Sequence, residues 1–173
     1  MNRADLSVAI YDSHERAESA VRQLAHAGFD MKAISIVGKD YHSEEHVVGY
    51  FNAGDRARFF GKLGAFWGGL AGILFGSALM FVPVVGHIVI LGPLAAAVVS
   101  GLEGAVVAGG LSALVGALTA MGIPKDSVLR YETALKADQF LVVVSGSAAD
   151  IQRAHEVLAG AGSLDVQDHK GTR

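Results

Sequence analysis

Ser13–Gly28 reads SHERAESAVRQLAHAG and Ser147–Gly162 reads SAADIQRAHEVLAGAG. Sliding the first stretch along the chain by 134 positions lays Ser13 on Ser147, Ala20 on Ala154, Leu24 on Leu158, Ala25 on Ala159, Ala27 on Ala161 and Gly28 on Gly162. Both stretches carry their apolar residues at helical spacing, Ala17, Ala20, Val21, Leu24 and Ala27 in one and Ile151, Ala154, Leu158 and Ala161 in the other. Ser147 suits an N-cap, and each stretch closes on a glycine, the usual helix stop.

Strand-like segments flank both helices. Residues 6–10 (LSVAI) and 32–37 (KAISIV) alternate, and Phe140–Val144 is an apolar run, with Ser163–Gln167 as a short closing strand. Each helix therefore belongs to a βαβ unit, and the shared identities read as an internal repeat. Two such units closing into one sheet predict an α+β fold of the ferredoxin-like, split βαβ kind. The alternative is a pair of unrelated βαβ pieces.

What lies between the units differs in composition. Residues 59–122 hold 14 of the chain's 22 glycines but only two charged residues, Lys62 and Glu103. The chain of 173 residues thus divides into 1–57 (first βαβ plus a polar connection over 39–57), 58–122 (an apolar, glycine-rich insertion) and 123–173 (second half). Residues 124–138 place Val128, Tyr131 and Leu135 on one face and charged residues elsewhere, the pattern of an amphipathic helix where domain and insertion meet.

Leu63–Phe81 is 19 consecutive uncharged residues, close to the length that spans a hydrocarbon layer as a helix. After Pro83 only Glu103 interrupts the uncharged sequence as far as Met121. Pro83, Gly86, Gly92 and Pro93 put a reversal near 82–93, so the insertion reads as a helical hairpin. Gly64, Gly68, Gly72 and Gly76 recur every fourth residue. Gly92, Ala96, Ser100, Gly104, Ala108, Ser112, Gly116 and Ala120 continue the period in the second segment. Small residues at that period line one helix face and let backbones approach closely, as in glycine zippers of membrane helices. In water so much glycine opposes helix formation, whereas a backbone in lipid must satisfy its own hydrogen bonds. A transmembrane-type hairpin in contact with lipid is expected on these grounds.

If both βαβ halves share one sheet, the hairpin crosses an even number of times. Arg56, Arg58 and Lys62 before it and Lys125 and Arg130 after it, with no Lys or Arg over 82–92, then place both termini on the cytoplasmic side of the inner membrane. The N-terminus shows no basic and apolar run of the signal-peptide kind.

The layout resembles the bacterial general stress protein 17M-like group, which overlaps families of stress-induced membrane proteins of unknown function. The resemblance rests on Val8-Ala9-Ile10-Tyr11 and the Ala-rich helix to Gly28, on the Gly-rich double segment, on Met121-Gly122-Ile123-Pro124 with Tyr131-Glu132, and on Phe140–Val144. It implies a stress-linked, non-enzymatic role and carries no catalytic residues over.

Few chemical motifs remain. His42-Ser43-Glu44-Glu45-His46 spells H-x-x-E-H, a zinc-protease pattern, but a short polar connection without a third ligand makes His42 and His46 weak metal candidates and a solvated cluster the better reading. Glu103 is the acid inside the apolar stretch, where a charge is costly; it marks either an ion-coupled or interhelical hydrogen-bonding group or a residue at headgroup depth. With no cysteine there is no disulfide or thiolate chemistry, and a net charge of −3 gives no case for nucleic acid. No cofactor motif is present. The sequence therefore predicts a non-enzymatic, stress-associated membrane protein that self-associates through its zipper faces. Its rivals are a soluble homo-oligomer with the hairpin buried between subunits and an oligomeric channel or transporter subunit using Glu103.

Overall fold

The computed structural model describes residues 4–39, 82–84, 88–91, 93–94 and 111–171. Gly64, Gly68, Gly72, Gly76, Gly92, Ala96, Ser100, Gly104, Ala108, Glu103, His42 and His46 lie outside the described residues.

The elements run β1 (Asp5–Tyr11), α1 (His14–His26), a 3-10 turn (Met31–Ala33), β2 (Ile34–Lys39), β3 (Val82–Val84), β4 (Ile88–Leu91), α2 (Leu111–Ala120), α3 (Lys125–Lys136), β5 (Phe140–Gly146), α4 (Ala148–Gly160) and β6 (Asp165–His169). They build one antiparallel sheet in the order β3-β4-β2-β5-β1-β6. Its four strands from the two repeated units, β2-β5-β1-β6, interleave: β5 of the second unit lies between β1 and β2 of the first. This is the split βαβ order that the sequence predicts.

The six repeated identities have the same jobs in both halves. The hydroxyls of Ser13 and Ser147 cap their helices, accepting from the amides of Arg16 and Asp150; Asp150 returns the favour to Ser147, completing a capping box. Ala20 and Leu24 are fully buried, and so are Ala154 and Leu158. Ala27 and Ala161 are the C-caps. Gly28 and Gly162 follow them with φ of +83° and +82°, a conformation that a Cβ disfavours. At Gly28 the amides of Gly28 and Phe29 bond back to the carbonyls of Ala25 and Leu24, closing a Schellman motif. Small side chains at 17, 20 and 154 let α1 and α4 pack beside each other on the same sheet face.

Alternation on the strands gives the sheet two apolar faces. Ala9, Tyr11, Ile34, Ile36, Phe140, Val142 and Val144 face α1 and α4. Leu6, Val8, Ile10, Val37, Leu141 and Val143 face the other way, where α2 and α3 cover them with Leu114, Leu118, Val128, Tyr131 and Leu135. Fully burying a Leu side chain contributes about 1.5–3 kcal/mol, so neither face is left for water. The amphipathic helix expected at the junction of domain and insertion is α3, and it is a structural layer.

The insertion departs from expectation. The reversal near 82–93 does occur, but as a β-hairpin: β3 pairs with β4, and β4 pairs with β2 through Ile36↔Leu91, Val37↔Ile90, Gly38↔Val89 and Lys39↔Ile88. Beyond it, the buried Leu94 amide donates to the Ser35 hydroxyl at 3.0 Å. A turn on the far side of a bilayer is thereby corrected, because strands separated by lipid cannot hydrogen-bond. Within the 58–122 stretch read as one helical hairpin, residues 82–84 and 88–91 are strands and 111–120 are helix, while 58–81 and 95–110 lie outside the described residues. Leu94 and Leu114 both sit in the core. Among the described residues, no helix is long and apolar enough to cross a membrane. β6 also starts later than expected, at Asp165 rather than Ser163, and runs to His169.

Candidate functional site

The densest polar chemistry among the described residues gathers around β6, an edge strand made almost wholly of polar residues, DVQDH. Its pleat sends Asp165, Gln167 and His169 toward α3, and Asp168 toward α4. Sequence reasoning ended this strand at Gln167 and missed the cluster. The available signal was the alternation itself, carried two residues further.

On the α3 side the Tyr131 hydroxyl lies 2.6 Å from Nε2 of His169, and the rings meet edge to face with centroids 5.9 Å apart. Tyr131 is fully buried and His169 is 8% exposed. Burial holds the Tyr131 phenol well above its ordinary range, with the Asp165 and Asp168 charges acting in the same direction and Arg130 opposing them. Burial holds the His169 imidazole below its ordinary range, with Asp168 opposing. Near neutral pH the phenol is therefore protonated and the imidazole uncharged, and the tautomer of the imidazole sets which of the two groups donates. Gln167 Oε1 accepts from the Ser127 hydroxyl at 3.0 Å and lies 3.5 Å from the Tyr131 hydroxyl. Outside this buried group, Arg130 pairs with Asp165 at 2.9 Å.

On the α4 side Ser7, Asp168 and His155 form a second cluster. The buried Ser7 hydroxyl donates to Asp168 Oδ1 at 2.7 Å, and His155 Nδ1 lies 3.0 Å from Asp168 Oδ2. The residue types are those of a hydrolase triad, but the order is wrong. A nucleophilic serine needs the imidazole next to it as base and the carboxylate behind the imidazole. Here the carboxylate sits in the middle, so the serine gives its proton's hydrogen bond to an acid and faces no base. The arrangement fastens β6 to β1 and α4. Among the described residues, no three His, Asp or Glu side chains gather as metal ligands would.

Of the predicted helix-packing residues, Ser112 and Gly116 fall on α2. Gly116 is exposed, and a methyl added to it would meet nothing within 4 Å. The buried face of α2 is instead Leu114, Ala117 and Leu118. Of the cations expected to flank a membrane segment, Lys125 is the first residue of α3 and Arg130, further along it, pairs with Asp165 of β6.

The fold and these clusters define a three-layered α+β domain, one sheet with helices on both faces, tied at its edge strand by polar side chains. Residues 6–80 match the family model of the heat induced stress protein YflT domain, fewer than half of the chain's residues. That match takes in β1, α1, β2 and the apolar Leu63–Met80 stretch, and it supports a general stress protein family, in line with the resemblance drawn from sequence. No curated protein and no solved structure matches the chain.

Proposed function

We propose that this is a non-enzymatic, stress-associated protein whose α+β domain presents an apolar insertion to one side of the inner membrane, from the cytoplasm, and self-associates through the small-residue rows of that insertion. One observation carries the one-sided geometry. Lys39 at the end of β2 and Val82 at the start of β3 belong to the same sheet, joined through β4. The chain that leaves at 39 therefore returns to the same place at 82. Its apolar part, Leu63–Phe81, is long enough for one crossing only, since two require about 40 apolar residues. The rest of the connection carries Asp40, Glu44, Glu45, Asp55, Arg56, Arg58 and Lys62. Attachment from one side suits both facts, and both termini stay cytoplasmic.

The rivals of this reading are a homo-oligomer that buries the insertion between subunits without lipid and an oligomeric channel or transporter subunit using Glu103.

Trp67, the single tryptophan, lies inside Leu63–Phe81 and reports on the choice. Purified protein is mixed with vesicles of mixed zwitterionic and anionic lipid, and sedimentation and Trp67 emission are followed. Lipid attachment gives co-sedimentation, a blue shift, and quenching by lipids brominated near the headgroup. An oligomer of unchanged size with unchanged emission would overturn the membrane reading in favour of the homo-oligomer.

A further inference from the structure

We propose that the outer surface of the α2/α3 layer is the face this domain lays on the membrane, with Leu129 entering the lipid; the inference rests on the lipid attachment proposed above. The two helical layers differ in what they turn outward. α1 and α4 present charge at exposed positions, Glu15, Arg16, Arg22, Arg153 and Glu156. From Leu111 to Pro124, α2 and the turn after it carry no charged residue. Leu129 on α3 is 59% exposed, the most exposed large apolar side chain among the described residues. The exposed threonines of this layer use their donors inside their own helices. Thr119 donates to the Val115 carbonyl and Thr133 to the Leu129 carbonyl, each at 2.8 Å.

Where the chain enters this layer points to lipid as the occupant. Leu94 and Leu114 belong to the apolar cluster under α2 and α3, so the stretch between them leaves and rejoins the domain on this side. Residues 95–110 carry a single charge, Glu103, and a bilayer accepts such a stretch and an uncharged helix surface together. Docking by the opposite face would leave Leu94 and Leu114 a sheet and a helix layer away, about 10 Å for the helices alone. It would also strip water from the charges of α1 and α4, which costs more than stripping it from α2. The charges on α3 do not oppose the contact. Arg130 and Lys136 are paired with Asp165 and Glu132. Lys125 has a stem long enough to keep its ammonium among the headgroups, and Asp126 stands in the first turn, where the helix dipole favours it. Leu129 and Thr133, one turn apart, are exposed on the side of α3 away from the buried Val128, Tyr131 and Leu135.

The test uses the full chain, whose lack of cysteine lets single sites be labelled. Thr119→Cys and Leu129→Cys lie on the proposed face, Gln23→Cys on α1 and Gln152→Cys on α4, all at exposed positions. Each takes a polarity-sensitive fluorophore. With vesicles of mixed zwitterionic and anionic lipid, labels at 119 and 129 should shift to the blue and be quenched by lipids brominated near the headgroup. Labels at 23 and 152 should keep their emission in water. Leu129→Glu should weaken co-sedimentation by about tenfold, as loss of one leucine's burial implies, against less than about twofold for Gln152→Glu, which adds the same charge to the other face. Quenching of Trp67 in the wild-type protein, with labels at 119 and 129 still in water, would keep lipid attachment and overturn this orientation. Equal weakening by the two glutamates would overturn it too, as would labels at 119 and 129 that lose water before any vesicle is added, covered by a second copy. A Trp67 that no lipid quenches would overturn the attachment, and this inference with it.

Discussion

The pairing of β2 with β4 can be tested with a single crosslink, because the chain has no cysteine of its own. Val37 and Ile90 are register partners. Facing residues of an antiparallel pair have Cα atoms about 4.5–5.5 Å apart, inside the range a disulfide spans. The variant Val37→Cys with Ile90→Cys should therefore oxidise within one chain. The bond closes a loop of 53 residues' separation, for which the chain-entropy relation gives about 4 kcal/mol, with strain reducing it to about 2–4 kcal/mol in practice. Comparing the oxidised and reduced forms of the same variant cancels the cost of trimming Val37 in the core. With a urea dependence of about 1–3 kcal/mol/M, the oxidised form should unfold about 1–2 M later. Val37→Cys with Val89→Cys, one residue out of register, sends the thiols to opposite faces and should not close. The assay is the non-reducing gel mobility of the monomer, then urea titration. Thiols that stay free after oxidation of the in-register pair, or that form only bonds between chains, would refute the sheet order and restore a far-side position for residues 82–92.

Four further outcomes follow from particular residues. Leu24→Ala and Leu158→Ala remove equivalent, fully buried side chains and should each lose about 2–5 kcal/mol in urea unfolding, with similar values if the repeat is structural. Tyr11→Phe deletes the 2.8 Å bond from its hydroxyl to the Leu158 carbonyl and should cost about 1 kcal/mol. Ser147→Ala removes the hydroxyl half of the α4 capping box and keeps the amide's bond to Asp150, a loss of about 1 kcal/mol. It should also move the Asp150 carboxylate, held below its usual range chiefly by the Ser147 hydroxyl, toward its ordinary value, so the wild type gains more stability than the variant as pH rises through the low carboxylate range. Gly116→Ala fills open space on an exposed helix face and should stabilise by up to about 1 kcal/mol; destabilisation or a smaller oligomer would instead reveal a partner packed on that face, the zipper contact.

The outer units were legible because their signals are local and doubled. A serine cap, a four-residue apolar rhythm and a terminal glycine each have a short-range cause, and finding them twice at one offset identified the repeat. The inner strands were not legible. Val82–Val84 and Ile88–Leu91 are three and four residues long, too short to establish a period, and short apolar runs look alike whether they end as buried strands or helices. Pro83 and Gly86 read as turn residues and were assigned to a helical hairpin, whereas the pairing that makes β4 a strand comes from β2, far back in the sequence. α2 was absorbed into a longer apolar run for the same reason: Leu114 and Leu118 are defined by the sheet face they meet. The clusters around β6 depended on contacts across 38 and 161 positions, Tyr131 to His169 and Ser7 to Asp168, and no local pattern encodes those.

The interleaved strand order also has a timetable. β1 is the first strand made, yet its two neighbours in the sheet are β5 and β6. From Tyr11 to Phe140 the ribosome must add well over a hundred residues, which at about 5–20 residues per second takes roughly 6–26 s. Throughout that interval β1 has no native partner, and α1 cannot pack against α4. The apolar Leu63–Phe81 stretch emerges midway through the wait, before the sheet that gathers its two ends has closed. Whatever first engages that stretch, whether a nascent-chain chaperone, lipid or another copy, meets it while the domain is still an open chain.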